Sequence, residues 1–137
     1  LGTLVDGFDF ARAKSLAEEA ITTHPDLDAM VGLFTYNIPN CMEACKGAGK
    51  LGEIKLISFD EAPETLQGII DGTVVGTVSQ QPYEYGRRSV EVLAKLARGD
   101  ESVIPENQFI EIGATVVEKH NVEEFWANLK KLLEPTE

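Results

Sequence analysis

Short apolar runs rich in β-branched residues alternate with windows of helical periodicity along most of this chain of 137 residues. That alternation is the pattern of an α/β domain. Residues 29–34, 54–59 and 74–78 read as strands, and residues 1–5 as the end of another. Between them, residues 9–23 carry Ala13, Leu16, Ala17, Ala20 and Ile21 at helical spacing, and His24-Pro25-Asp26 stops the helix, because the residue before proline avoids helical angles. Pro39 opens a second helix that ends near Gly47 and Gly49, residues 63–70 form a third, and residues 83–98 a long amphipathic fourth closed by Gly99-Asp100. Helices that join successive strands act as crossovers, so the expected architecture is a doubly wound parallel sheet with helices on both faces. Residues 29–34, apolar throughout, read as a strand covered on both faces.

Beyond residue 103 the pattern weakens. Residues 104–108 read as a linker, 109–112 and 115–117 as extended, and 122–133 as a terminal helix. Asn121 is its expected N-cap, with Glu123 and Glu124 in the first turn, where the helix dipole favours anions.

Charge and motif content narrow the function. Twelve Lys and Arg stand against 23 Asp and Glu, a formal charge of -11, which opposes the counterion release that drives nucleic-acid binding. Nucleic acids and anionic lipid surfaces are therefore excluded as partners. No apolar stretch approaches the ~20 residues that cross a bilayer. The start has neither an initiator Met nor a basic and apolar leader, and we read Leu1 as an internal position of a longer precursor. Cys41 and Cys45 lie four apart on one helical face, a spacing poorly suited to a disulfide, and read as two buried thiols. His24 and His120 are single and distant from them, so no metal site is assigned. The nucleophile elbow, phosphate loop and zinc-protease motifs are all missing, and adjacent Asp60 and Glu61 point apart, so no catalytic residue and no cofactor is expected.

Ligands of parallel sheets bind outside the carboxyl ends of the strands. Those ends lead here into Asp6-Gly7-Phe8-Asp9, Thr35-Tyr36-Asn37, Asp60-Glu61 and Gln80-Gln81-Pro82. The set suits a neutral polyol: an ionised Asp accepts from hydroxyls, amides both donate and accept, and a phenyl face covers the C–H face of a sugar ring. Phe8, Asn37, Asp60 and Gln80 are the candidate ligand-binding residues. Three also have a bland reading, Asn37 and Asp60 as caps of the helices that follow and Phe8 as core, whereas Gln80 before Gln81-Pro82 has no standard capping role. Asp9 reads as a helix N-cap before a ligand contact.

The order of Ala20-Ile-Thr-Thr-His-Pro-Asp-Leu-Asp28, Tyr36-Asn37, Gly47-Ala-Gly-Lys50, Ile57-Ser-Phe-Asp60, Ile69-Ile-Asp-Gly72 and Gly76-Thr-Val-Ser-Gln-Gln-Pro82 resembles the ribose-binding-protein-like group of type I periplasmic sugar-binding proteins of ABC importers. The resemblance covers nearly the whole chain. It implies one lobe of a two-lobed protein that closes on a monosaccharide or similar polyol and delivers it to a membrane permease, with a periplasmic location and a signal sequence upstream. Residues 1–103 would be the sugar-binding lobe, lacking its first strand and helix, and residues 104–137 a hinge-crossing segment with the C-terminal helix. By resemblance Asn37, Asp60 and Gln80 match sugar-contacting positions and Phe8 a stacking position. Ile38-Pro39 after Asn37 and Ser58 before Phe59 depart from the group's pattern.

Two other readings stand beside it. One is the effector domain of a lactose-repressor-family regulator, which shares the fold. The other is a stand-alone flavodoxin-like signalling module, with Asp60 and Asp6 in an acidic pocket. The apolar face of the terminal helix, with Val122, Phe125, Trp126 and Leu129, is expected to lack its partner in this segment. It would then fold back on the sheet or pair two copies into a dimer.

Overall fold

A computed structural model describes residues 2–133. The chain forms two compact units: the residues through Ser79 together with those from Val116 onward, and Gln80–Thr115. The boundary read from the sequence at residues 103 and 104 falls inside the second.

In the first unit, α1 (Phe10–Thr23) is capped by Asp9, whose carboxylate accepts from the Arg12 N–H at 3.0 Å. The cap was expected, and it satisfies a donor that the helix itself leaves unpaired. Ala13, Ala17 and Ile21, four apart, form its buried stripe, and the helix packs on α2 (Asn37–Gly47). Helix α3 (Pro63–Asp71) begins on proline and ends on Gly72 in the left-handed conformation, the usual asymmetry of a helix with a sharp start and stop. Strands β1 (Ala29–Val31), β2 (Lys55–Phe59) and β3 (Gly76–Ser79) pair in parallel, Met30 against Leu56 and Ser58 against Thr77. With β4 (Thr115–Glu118) they form one sheet in the order β1-β2-β3-β4, the α/β class expected. Gly76 allows β4 its close approach, since a Cβ there would stand 2.8 Å from the Val117 carbonyl oxygen.

The core gathers Ile38, Ile54, Leu56, Leu66, Ile69, Val117 and Val122, all at most 1% exposed. Cys45 belongs to it, and Cys41 packs against it. Both thiols are free. Burial, with Cys45 close by, pushes the Cys41 thiol up to about 12, the behaviour of inert buried cysteines.

Three local expectations are corrected. Residues 2–5 form no strand, and Leu4 and Val5 are exposed, so this β-prone segment has apolar side chains with nothing to pack on; Leu1 lies outside the described residues. Residues 29–34 give a strand of only three residues that is exposed on one side, with Val31, Leu33 and Phe34 about half exposed. It stands at the edge of the sheet, where a second covering layer is not guaranteed. Residues 109–112 form no strand.

Helix α5 (Val122–Leu133) lies over the core beside α3. Val122 is fully buried, and Phe125, Trp126 and Leu129 pack against the core. The face expected to lack a partner is thus covered within this unit. Asn121 does not cap the helix through its side chain as expected: Oδ1 accepts from the Glu118 N–H at 2.8 Å, and Nδ2 donates to the Val116 carbonyl at 3.0 Å. The amide braces the turn after β4.

The second unit holds α4 (Pro82–Leu96) and a short 3-10 turn (Glu101–Val103). No residue of α4 is buried. Its surface carries a ladder of ion pairs, Arg87 to Glu84 at 2.8 Å, Arg88 to Glu91 at 3.0 Å and Lys95 to Glu91 at 3.4 Å. Tyr85, Val92 and Leu93 share an open apolar groove with Ile110 and Ile112.

Candidate functional site

Within the first unit, the loops after β1 and β2 and the end of β3 lie at the carboxyl edge of three parallel strands. Asn37, Asp60 and Ser79 occupy these three positions. The loop Asp6–Asp9 joins the first of them through the side chain of Asp6.

Asp6 is the hub. Its Oδ1 accepts from the Phe8 N–H at 2.9 Å and from the Tyr36 hydroxyl at 2.8 Å, and its Oδ2 accepts from Asn37 Nδ2 at 2.9 Å. The first of these bonds is an Asx turn, in which a side chain stands in for a backbone turn. It lets the chain pass through positive φ at Gly7 (67°) and at Phe8 (65°), a region few side chains occupy. The Tyr36 and Phe8 donors hold the Asp6 carboxyl below the ordinary aspartate range. Burial, and then the bond to Asp6, push the Tyr36 phenol up. Both shifts keep the phenol protonated and the carboxylate ionised near neutral pH.

Asn37 opens α2, but its side chain does not cap that helix. Oδ1 accepts from the Phe34 N–H at 2.9 Å, so the amide is held between the preceding loop and Asp6. Gly32 leaves room for it, because a Cβ at residue 32 would stand 2.7 Å from Asn37 Cβ. Asp60 likewise does not cap α3, whose N-cap position is Ala62. It sits at φ 67°, and its Oδ2 accepts from Thr35 Oγ1 at 2.9 Å. Next to it, Glu61 accepts from Ser79 Oγ at 2.7 Å. The β1 and β2 loops and the end of β3 are therefore tied to one another by side chains.

Aromatic rings crowd the same edge. Phe8 is 68% exposed, so it is not core, and its ring centroid lies 5.1 Å from that of Phe34 at a 60° tilt. Tyr36 stacks on Phe10 at 4.4 Å and lies near-parallel to Phe34 at 6.2 Å. Exposed rings beside a polar edge offer an apolar surface next to hydrogen-bonding groups, the inventory of a small-molecule site.

The structure thus links Phe8 and Asn37 through Asp6 and places Asp60 on Thr35. Gln80 begins the second unit, where it is exposed, and its neighbour Gln81 donates from Nε2 to the Gly113 carbonyl at 2.7 Å. Among the described residues no group of three His, Cys, Asp or Glu side chains comes together to hold a metal ion. Sequence reasoning undervalued Asp6, Thr35, Phe34 and Tyr36. Asp6-Gly7 is a turn signal that could have marked the Asx turn, but nothing in the sequence says that its carboxylate meets Tyr36 and Asn37 some 30 residues on.

The sequence profile of a family described as periplasmic binding protein domain matches residues 3–101. The ribose import binding protein RbsB of Salmonella typhimurium is 30% identical over 94 residues, which make up 67% of this chain and 31% of that protein. Among solved structures, an ABC transporter solute binding protein from Agrobacterium vitis with bound D-fucose is 27% identical, with a TM-score of 0.79 over 93% of this chain and 43% of that one. Another from the same organism, bound with alpha-D-tagatopyranose, shares the fold at 23% identity, with a TM-score of 0.80 over 99% of this chain and 44% of its own. The chain spans about a third of the length of the curated relative and under half of these solved chains.

Proposed function

This chain belongs to the periplasmic binding protein family, and from that premise we propose that it is part of the solute-binding component of an ABC importer. The whole protein would take a monosaccharide or similar polyol and deliver it to a membrane permease. The same reading puts the protein in the periplasm or an equivalent compartment outside the cytoplasm. Its role is binding, without catalysis and without a cofactor.

One observation carries the reading: hydroxyl, amide and carboxylate groups on three successive strand ends are cross-linked into a single edge beside the exposed rings of Phe8 and Phe34. Sugars present hydroxyls on their rim and C–H groups on their faces, and such an edge answers both. Asn37 and Asp60 are the proposed hydrogen-bonding contacts and Phe8 the stacking contact. Gln80, which follows Ser79 directly in the chain, is proposed as a further contact. The name of the curated relative, an import protein for ribose, supports transport over the effector domain of a regulator. The match to the periplasmic binding protein family leaves a stand-alone signalling module without support. A dimer through α5 finds none either, its apolar face being covered.

The test is a thermal-shift screen of the full-length protein against pentoses, hexoses, polyols and, as a contrast, amino acids. Stabilisation by one or a few sugars is expected, since a ligand that binds only the folded state raises its melting temperature. Stabilisation by amino acids alone would overturn the reading.

A further inference from the structure

We infer that Asp6 is a positioning residue that fixes which way round Asn37 presents its amide, and so whether a bound sugar meets a donor or an acceptor there. The inference rests on the binding role proposed above. A carboxylate can only accept and a backbone N–H can only donate. Asn37 lies between one of each: Asp6 Oδ2 at 2.9 Å from its Nδ2, and the Phe34 N–H at 2.9 Å from its Oδ1. Turning the amide over would set oxygen against oxygen at Asp6 and N–H against N–H at Phe34. Only one orientation is free of conflict. It leaves Asn37 one lone pair beyond this network and turns its second N–H toward the Tyr36 hydroxyl, and Asp6 guarantees that the nitrogen side remains a donor.

Asp6 is itself held. Its Oδ1 takes the Tyr36 hydroxyl and the Phe8 N–H, which leaves Oδ2 for Asn37. One carboxylate therefore ties the stacking residue Phe8 and the hydrogen-bonding residue Asn37 into a single register. Asp6→Asn keeps the shape but breaks the logic, since two amides would then meet N–H to N–H unless Asn37 turned over against Phe34. Asn37→Asp instead sets two carboxylates against each other. The double variant Asp6→Asn/Asn37→Asp restores every internal bond with the roles exchanged: the new amide donates to the new carboxylate, which still accepts from Phe34. What it lacks is any N–H on the side chain of residue 37.

The experiment uses the full-length protein and two readouts. In NMR spectra, the Asn37 side-chain NH₂ pair is expected to shift and to exchange faster in Asp6→Asn, and to stay put in Ser15→Ala, a surface control on α1. In calorimetry with D-ribose, D-fucose and L-arabinose, Asp6→Asn is expected to weaken whichever sugar the wild type binds by about tenfold. The double variant is expected to regain the melting temperature of the wild type without regaining that affinity. Unmoved Asn37 signals in Asp6→Asn would overturn the inference, as would a double variant that recovers stability and affinity together. If the wild type binds none of the three sugars, the binding reading fails for them, and the NMR signals still decide what Asp6 does.

Discussion

Thr35 Oγ1 donates to Asp60 Oδ2 over 2.9 Å and so joins the loop after β1 to the loop after β2, 25 residues apart. Asp60 is a non-glycine residue at φ 67°, and its N–H donates to the Val78 carbonyl at 3.0 Å. Its backbone is thus set by the neighbouring strand, and Thr35 helps to set the direction of its side chain.

Thr35→Val keeps the shape of the side chain and removes the donor. Because the bond is exposed, urea unfolding should show a loss below about 1 kcal/mol. Sugar affinity in the full-length protein should fall severalfold as Asp60 loses its alignment. Unchanged affinity would mean that Thr35 does not orient Asp60.

Gly32→Ala adds a Cβ that would lie 2.7 Å from Asn37 Cβ and 2.9 Å from Ile38 Cγ1. Neither neighbour is the loose end of a long side chain, so the start of α2 must shift. Overpacking of this kind costs about 1–3 kcal/mol. A melting temperature equal to the wild type, with an unshifted Asn37 amide resonance, would contradict this account of why glycine stands there.

The helices and the parallel core were legible because each carries its own punctuation: Asp9 before α1, His24-Pro25 after it, Pro63 and Gly72 around α3. The strand-end positions of Asn37 and Asp60 followed from the same punctuation. What the sequence did not show is what depends on meetings across the fold. Residues 2–5 have the composition of a strand but no partner, and β1 looked doubly covered because sequence cannot tell an edge strand from a central one. The face of α5 read as open to folding back or to pairing two copies, and only the fold shows Val122 in the core of its own unit. Asp6 was legible as a strand-end residue and not as the hub that three donors share, since its pairings with Tyr36 and Asn37, 30 and 31 residues on, leave no local trace.

The acid limb of the stability profile should carry the mark of Asp6. Its folded pKa is lowered, first by the Tyr36 hydroxyl and then by the Phe8 N–H, with burial opposing. Stabilisation by this group is therefore present above the unfolded value and is lost as pH falls through the folded one. An NMR titration should place the Asp6 midpoint below that of an unstructured aspartate, and Tyr36→Phe should raise it. A midpoint at or above the unstructured value would refute the network.

Cys41 and Cys45 should be inert in the folded protein. Burial, with Cys45 nearby, pushes the Cys41 thiol up to about 12, and burial also raises that of Cys45. Thiolate, the reacting form, is then scarce at neutral pH. Alkylation followed by mass spectrometry should show labelling only at the rate of unfolding. Rapid labelling of native protein would place these thiols outside the core.

The central claim is that the carboxyl edge of β1–β3 contacts a sugar. Its most direct test is calorimetric titration of the full-length protein and of its Asp60→Asn variant with the sugar that most stabilises the wild type. Asparagine tolerates the positive φ of residue 60 about as well as aspartate, so the fold should persist while the acceptor-only carboxylate is lost. We predict an affinity reduced by about tenfold or more at an unchanged unliganded melting temperature. Equal affinity in the two proteins would contradict the claim.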